Sequence, residues 1–301
     1  MAVRGHESAG AGALRGLLDP RVSCVPTGRE LLHRVRESRS RGEPVCVVPM
    51  TLGREPRLVA DTARTLLALS AEDRAGTVLA EPFGTADHLV GWLRAAAARV
   101  GGDRALLVTA PSGDPYADAD LFRIARLVRQ YGRHRTVEVA LIGGDPDPAE
   151  GVRRCLALGE RRVTLLPAAW VVPEIPDPER CDSSGPLLPA AAVAGVLATR
   201  VREAWERHDT LGDDGLSRAL SADHHHDHTH EHGPGDHPHG PPRGDEPHGS
   251  HGTHPDGPDG AAPAHRGLRA PEGVPHAHDH AGAATFRGAD PHHLPSHRSL
   301  R

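Results

Sequence analysis

VEVALIGGDPDPAEGVRRCLALGERRVTLLP, residues 137–167, decides the fold. It opens on an apolar run, Val137–Ile142, and turns at Gly143-Gly144. It continues through a helical stretch, Ala149–Leu158, and closes on a second apolar run, Val163–Pro167. Short runs that are apolar at nearly every position suit strands buried on both faces. Two such strands joined by a helix suit a parallel crossover. Residues 22–49, VSCVPTGRELLHRVRESRSRGEPVCVVP, repeat the order: strand, turn, helix, Gly, then an apolar strand ending in Pro. Residues 80–100 (AEPFGTADHLVGWLRAAAARV) and 184–205 (SGPLLPAAAVAGVLATRVREAW) form a second matching pair, each a short loop and then a helix. The chain therefore reads as an internal duplication of α/β type, with halves at about 1–100 and 101–210. A cleft between two such halves is the default ligand site.

The remaining signals agree. Strands are expected at Val22–Val25, Val45–Pro49, Gly76–Ala80 and Ala105–Thr109. Leu89, Trp92, Leu93 and Ala96 recur at helical spacing, as do Leu121, Ile124, Ala125 and Val128, and as do Val193, Val196, Leu197, Val201 and Ala204. Ser8–Leu18, Arg29–Ser38 and Val59–Leu69 are further helical stretches. Residues 1–20 lack a clear apolar run, so a first strand there is left open.

After about residue 210 the composition changes. Of 23 histidines, 18 fall in residues 221–301, and that segment carries 6 Arg against 11 Asp and Glu. Residues 1–220 balance 29 Arg with 29 acidic groups, and the chain has no Lys. With one aromatic and almost no Ile, Val or Leu, residues 211–301 cannot offset their ordering entropy and are expected to be disordered. Their histidines cluster: His224, His225, His226, His228, His230 and His232, then His237 and His239, then His276, His278 and His280. Neutral imidazoles with interleaved carboxylates ligate Zn, Ni, Co and Cu, so the tail reads as a metal-binding segment suited to storage.

The same arithmetic excludes several classes. No apolar run is long enough for a membrane span. No secretory h-region opens the chain. Cys24, Cys46, Cys155 and Cys181 lack C-x-x-C spacing and read as reduced cytoplasmic thiols. No basic face suggests nucleic acid. The absence of Lys removes a P-loop lysine and a Schiff base. There is no G-x-S-x-G elbow and no full dinucleotide fingerprint, so no organic cofactor is expected. Oligomeric state is not set by the sequence.

Several segments resemble the CbiX-type sirohydrochlorin chelatases, the class II chelatases of cobalamin and siroheme synthesis. LLVTAPSGDPYADADLFRIARLV (106–128) is similar to the family's opening strand L-L-V-x-H-G-S-R-D-P and its helix. VEVALIGGDPDPAEGVRRC is similar to V-E-V-A-F-x-E-x-x-x-P-x-x-x-E-A. VTLLPAAWVVPEIPD sits where the family has V-V-V-P-L-F-L-x-x-G-x-H-x-x-x-D. GPLLPAAAVAGVLATRVREAW is similar to P-L-G-P-H-P-x-L-x-x-x-V-x-x-R. The resemblance covers about residues 1–208. It implies insertion of a divalent ion, Co²⁺ favoured with Ni²⁺, Fe²⁺ or Zn²⁺ as alternatives, into a sirohydrochlorin-like polycarboxylate tetrapyrrole.

Residue by residue, the resemblance is partial. The family's first-half histidine falls at His6, in RGHESAG. Its second falls at Arg57, with Asp61 at the following acidic position. The two second-half slots fall at Ala110 and Ile175. His6 is then the expected metal ligand or base, since imidazole can serve either way, and Glu7 or Glu55 would assist. Arg54 and Arg57 would hold peripheral carboxylates through their bidentate forks. Each has a plainer reading: His6 as a frayed N-terminal residue, Arg57 as a solvated helix-start arginine, Arg54 and Glu55 as loop surface. His88 reads as a helix-start residue, His33 and His134 as surface histidines, and Trp92 and Trp170 as core. Asp114 reads as a turn or cap residue. A second function follows from the three missing histidines: a non-catalytic homologue acting as a metal reservoir or delivery protein.

Overall fold

The computed structural model describes residues 1–10 and 12–221; the tail histidines named above lie outside them. The described residues belong to one unit that runs from Met1 to Pro234. Two four-stranded parallel sheets carry it. The first holds β1 (Ala2–Arg4), β2 (Cys24–Val25), β3 (Val45–Met50) and β4 (Thr77–Leu79) in the order β2-β1-β3-β4. The second holds β5 (Ala105–Pro111), β6 (Val137–Ile142), β7 (Val163–Pro167) and β8 (Cys181–Ser183) in the order β6-β5-β7-β8. Strand for strand the two orders are the same, which is the duplication written in space.

Most helices follow the sequence signals, each with a local reason, although the stretch Ser8–Leu18 keeps only four α-helical residues among those described. Helix α1 (Gly12–Arg15) is a single short turn. Helix α2 (Arg29–Ser40) buries Leu31 and Val35, and α3 (Pro56–Leu67) begins on a proline at its first turn. Ser70 caps α4 (Ala71–Ala75), and Thr85 and His88 form a reciprocal cap on α5 (Ala86–Ala97). Asp114 accepts from the Tyr116 and Ala117 amides to start α6 (Pro115–Gln130). Asp147 does the same for α7 (Pro148–Ala157) through the Glu150 amide. Helix α8 (Ala190–Leu211) stops at Gly212, which adopts the left-handed conformation.

Contacts cross the duplication boundary in both directions. Helix α5 packs on α6 and β7 of the second half, while α8 packs on β3 and β4 of the first. Each half lends its last helix to the other, and one apolar cluster runs through both, from Val48 and Met50 to Leu106, Val108 and Leu166.

One finding closes a question that the sequence left open, and a second departs from its expectation. Residues 2–4 form a strand although they make no apolar run, because pairing with β2 on one side and β3 on the other holds them in the sheet. Structure also continues beyond residue 210. Helix α9 (Leu216–Ser221) buries Leu216 and Ala219 against α3, so the loss of periodic apolar residues hid a short packed helix.

The turn into α9 depends on Gly215. The Asp214 carbonyl accepts the Leu79 amide at 2.8 Å, and a Cβ on Gly215 would lie 2.0 Å from the Leu79 carbonyl oxygen at φ +84°. Gly215→Ala is expected to release α9 and speed amide exchange at Leu79, while the second sheet keeps its protection.

Candidate functional site

The loops at the carboxyl ends of β1 and β3 meet and exchange carboxylates. After β1 the chain winds through a 3-10 turn, His6–Ser8, closed by the Ala9 amide on the His6 carbonyl at 2.9 Å. The Glu7 side chain leaves this turn and is wholly buried. Its Oε1 accepts from the Thr51 hydroxyl at 3.0 Å and the Arg54 amide at 2.8 Å, and its Oε2 accepts from the Leu52 amide. In return, Glu55 from the β3 loop reaches the β1 loop. Its Oε2 accepts the His6 amide at 2.8 Å, and its Oε1 accepts the Glu7 amide.

This pair sits in a demanding electrostatic setting. Burial, then the neighbouring Glu55 carboxylate, pushes the Glu7 carboxyl up to about 7. Burial also raises Glu55, against the lowering effect of the amides it accepts from. Thus Glu7, expected to assist His6 directly, instead has its carboxylate taken up inside the protein and out of a ligand's reach.

The second half closes on this loop pair from two sides. The Trp170 amide donates to the Glu7 carbonyl at 3.0 Å, and the Trp170 ring N–H donates to the Met50 carbonyl at 2.8 Å. The Trp170 ring meets Phe83 edge-on with centroids 4.9 Å apart, so it is core, as its strand context predicts. On the other side stands the turn between β5 and α6. Asp118 holds it, accepting from the Ser112 hydroxyl at 3.0 Å and the Gly113 amide at 2.8 Å.

Arg54 reaches into that turn. One guanidinium nitrogen donates to the Ala117 carbonyl at 3.3 Å and lies 3.6 Å from the Asp118 carboxylate. Its side chain is only 2% exposed. Arg54 is therefore an internal strut between the halves rather than the open carboxylate clamp that the sequence suggested. Arg57 is the opposite case. It stands in the first turn of α3, 76% exposed and 3.7 Å from the Asp114 carboxylate, free to swing onto an incoming anion.

His6 keeps its ring exposed, with Nε2 facing Gly113: a Cβ added there would lie 3.8 Å from it. The structure thus brings together His6, Glu7, Arg54, Glu55 and Arg57. The other two family slots give no ligand: Ala110 is fully buried in β5, and Ile175 lies on the exposed loop after Trp170. Among the described residues, no group of three or more His, Cys, Asp or Glu is placed to hold a metal ion. Beside the site, between the carboxyl ends of the two sheets, is a cavity of about 10 Å³ lined by residues including Leu17, Leu52, Trp170 and Leu187.

One histidine sits where the sequence did not put it. His134, expected on the surface, is buried, with its ring nitrogens 3.0 Å from the Ala97 and Arg104 carbonyl oxygens. It staples the connection between the halves, and Arg133 adds bonds to the Ala98 and Val100 carbonyls. A pocket of about 520 Å³ opens beside these residues, near the amino end of β5 and away from His6.

No family model matches the chain. A 67-residue stretch is 40% identical to a sirohydrochlorin cobaltochelatase of Priestia megaterium, covering 22% of each protein. Over that stretch the chain is similar to the cobaltochelatase. The matched part spans about a fifth of that curated relative's length. Among solved structures, the sirohydrochlorin chelatase SirB from Bacillus subtilis subspecies spizizenii, in complex with cobalt, aligns with a TM-score of 0.41 and 16% identity. That alignment covers 71% of this chain and 97% of the other. Of the described residues, no helix is long and apolar enough to cross a membrane.

Proposed function

We propose that this chelatase relative inserts a divalent metal, Co²⁺ for preference, into a sirohydrochlorin-like polycarboxylate tetrapyrrole. The observation that carries the reading is an exposed imidazole, His6, on a loop anchored at the carboxyl end of the first sheet, with an exposed guanidinium, Arg57, facing the same β5–α6 turn. Insertion exchanges one M²⁺ for two pyrrole protons. The chain must therefore present the ion, orient the macrocycle and let two protons leave. His6 presents the ion or takes a proton, and Arg57 pairs with a peripheral carboxylate. Few protein ligands suit an ion that has to depart, since water and the pyrrole nitrogens complete its shell. The tail histidines, from His224 to His232, at His237 and His239, and from His276 to His280, would bind further ions, and tethering would raise their effective concentration.

The test is insertion itself. With sirohydrochlorin and Co²⁺, the full chain is expected to accelerate the absorbance change over the spontaneous rate, and His6→Ala to remove most of that gain. No acceleration would sink the enzymatic reading. Ion counting tests the tail: residues 1–221 alone are expected to bind fewer Co²⁺ than the full chain. Tail binding is expected to fail below about pH 6, where protons compete for imidazole nitrogen.

The absent histidines at Arg57, Ala110 and Ile175 favour a second reading, a non-catalytic metal reservoir or delivery protein. It predicts undiminished ion binding with no insertion.

A further inference from the structure

We propose that Glu55 is a positioning residue whose carboxylate, seated on the His6 and Glu7 amides, fixes the backbone from which the His6 imidazole projects. The inference rests on the reading of His6 as the working group. Four observations carry it.

First, one carboxylate accepts two consecutive amides of the turn that bears His6, so it fixes the turn's backbone rather than a side chain. Second, the neighbouring sequence makes room for it. A Cβ on Gly5 would lie 1.9 Å from Glu55 Oε2 and 2.9 Å from a Leu58 methyl, so the carboxylate occupies the space that glycine leaves. Third, the turn ends on Ala9 at φ +45°, a left-handed conformation that non-glycine residues adopt only when their surroundings hold them there. Fourth, every other anchor also grips the backbone or Glu7: the Trp170 amide takes the Glu7 carbonyl, and the β3 loop takes the Glu7 carboxylate. The His6 ring projects from this held backbone toward Gly113, near enough to the Glu55 carboxylate to favour its charged form.

The arrangement is a costly way to build a turn. Two carboxylates are set close together in a buried site, where an apolar turn would fold at lower cost. The cost falls at the one position that keeps the family's histidine, and support of this kind is what holds a reacting group in its working geometry.

Glu55→Gln in the full chain tests this. Glutamine keeps the length and one accepting oxygen but turns an NH2 toward one amide, so one of the two bonds is lost. The expected result is a fall in insertion kcat of about tenfold or more, the size seen when outer partners of a ligand are removed. KM for the tetrapyrrole should stay within about twofold, because Glu55 does not touch the macrocycle. Stability in urea should hold or rise, since the variant removes a buried like charge. Glu55→Asp keeps the charge but falls one methylene short, and should lose kcat similarly. Unchanged kcat in Glu55→Gln, or a loss that tracks lost stability, would overturn the proposal.

A second readout does not need insertion. In full-length protein labelled with ¹⁵N-histidine, the His6 ring resonances are those absent from His6→Ala. Glu55→Gln should shift or broaden them. Resonances left in place would refute positioning even if the wild-type chain inserts metal. If the wild type inserts none, the functional reading fails, and the ring spectrum alone decides the role of Glu55.

Discussion

Glu7→Ala is expected to cost the fold about 3–5 kcal/mol at pH 5, measured by urea unfolding. The carboxyl satisfies two buried amides, Leu52 and Arg54, and the Thr51 hydroxyl. Alanine leaves all three without an acceptor and opens a cavity where nothing else reaches. The cost should shrink as pH rises, and the sign follows from the direction of the shift. Burial first, and Glu55 second, raise this carboxyl from 4.5 to about 7. The folded protein then holds the proton more tightly than the unfolded chain does. The stability this contributes is fully present below about pH 4.5 and is lost as pH rises through about 7. Glu55 is raised as well and acts in the same sense. Glu7→Gln cannot ionise, so its stability should vary less across pH 4.5–7 than the wild type's. A wild-type slope equal to that of Glu7→Gln would show that Glu7 is not the group responsible.

Gly53→Ala is expected to be as damaging, by a different route. Gly53 lies in the loop that receives the Glu7 carboxylate and has φ +122°. A Cβ there would lie 2.1 Å from the Thr85 carbonyl carbon and 2.3 Å from the Ala86 nitrogen, the backbone that starts α5. Backbone cannot rotate aside as a side-chain tip can, so either the loop or the helix start must move. A loss of about 3 kcal/mol or more, or failure to fold, is expected from the sum of strain and overlap. Gly42→Ala is the comparison. It too has positive φ, +74°, but a Cβ there meets nothing within 4 Å, so only about 1–2 kcal/mol of conformational strain should appear. Equal losses in the two variants would show that the contact with α5 does not matter.

The sheets were legible because their longer strands are apolar at nearly every position: Val45–Pro49, Val137–Ile142 and Val163–Pro167 could hardly be anything else. The duplication was legible for the same reason. Two of the short strands were not. Strand β8 reads Cys-Asp-Ser and is defined by its pairing with β7, and β1 is three residues long and exists through its two neighbours.

Legibility at the site divides along similar lines. The exposure of His6 and Arg57 was within reach of the sequence, because both stand in polar turns at the start of helical stretches. The burial of Glu7 and Arg54 could not, because nothing local in RGHESAG or LGREP says which side chain turns inward. The nearest signal was Gly5, whose missing side chain makes space for a residue fifty positions away. His134 was misread because its partners, the Ala97 and Arg104 carbonyls, are backbone atoms that no pattern of side chains reveals.

The exchange of last helices has a consequence for how such a chain can be taken apart. Severed in the connection at residues 98–104, it would yield two fragments whose helices fit each other's sheets better than their own. The first piece would keep β3 and β4 but lack α8, and the second would keep α6 and β7 but lack α5. Neither piece is then an autonomous folding unit. Mixed together, they should reconstitute as a noncovalent heterodimer. Each fragment alone should therefore show little amide protection, and an equal mixture should recover both sheets.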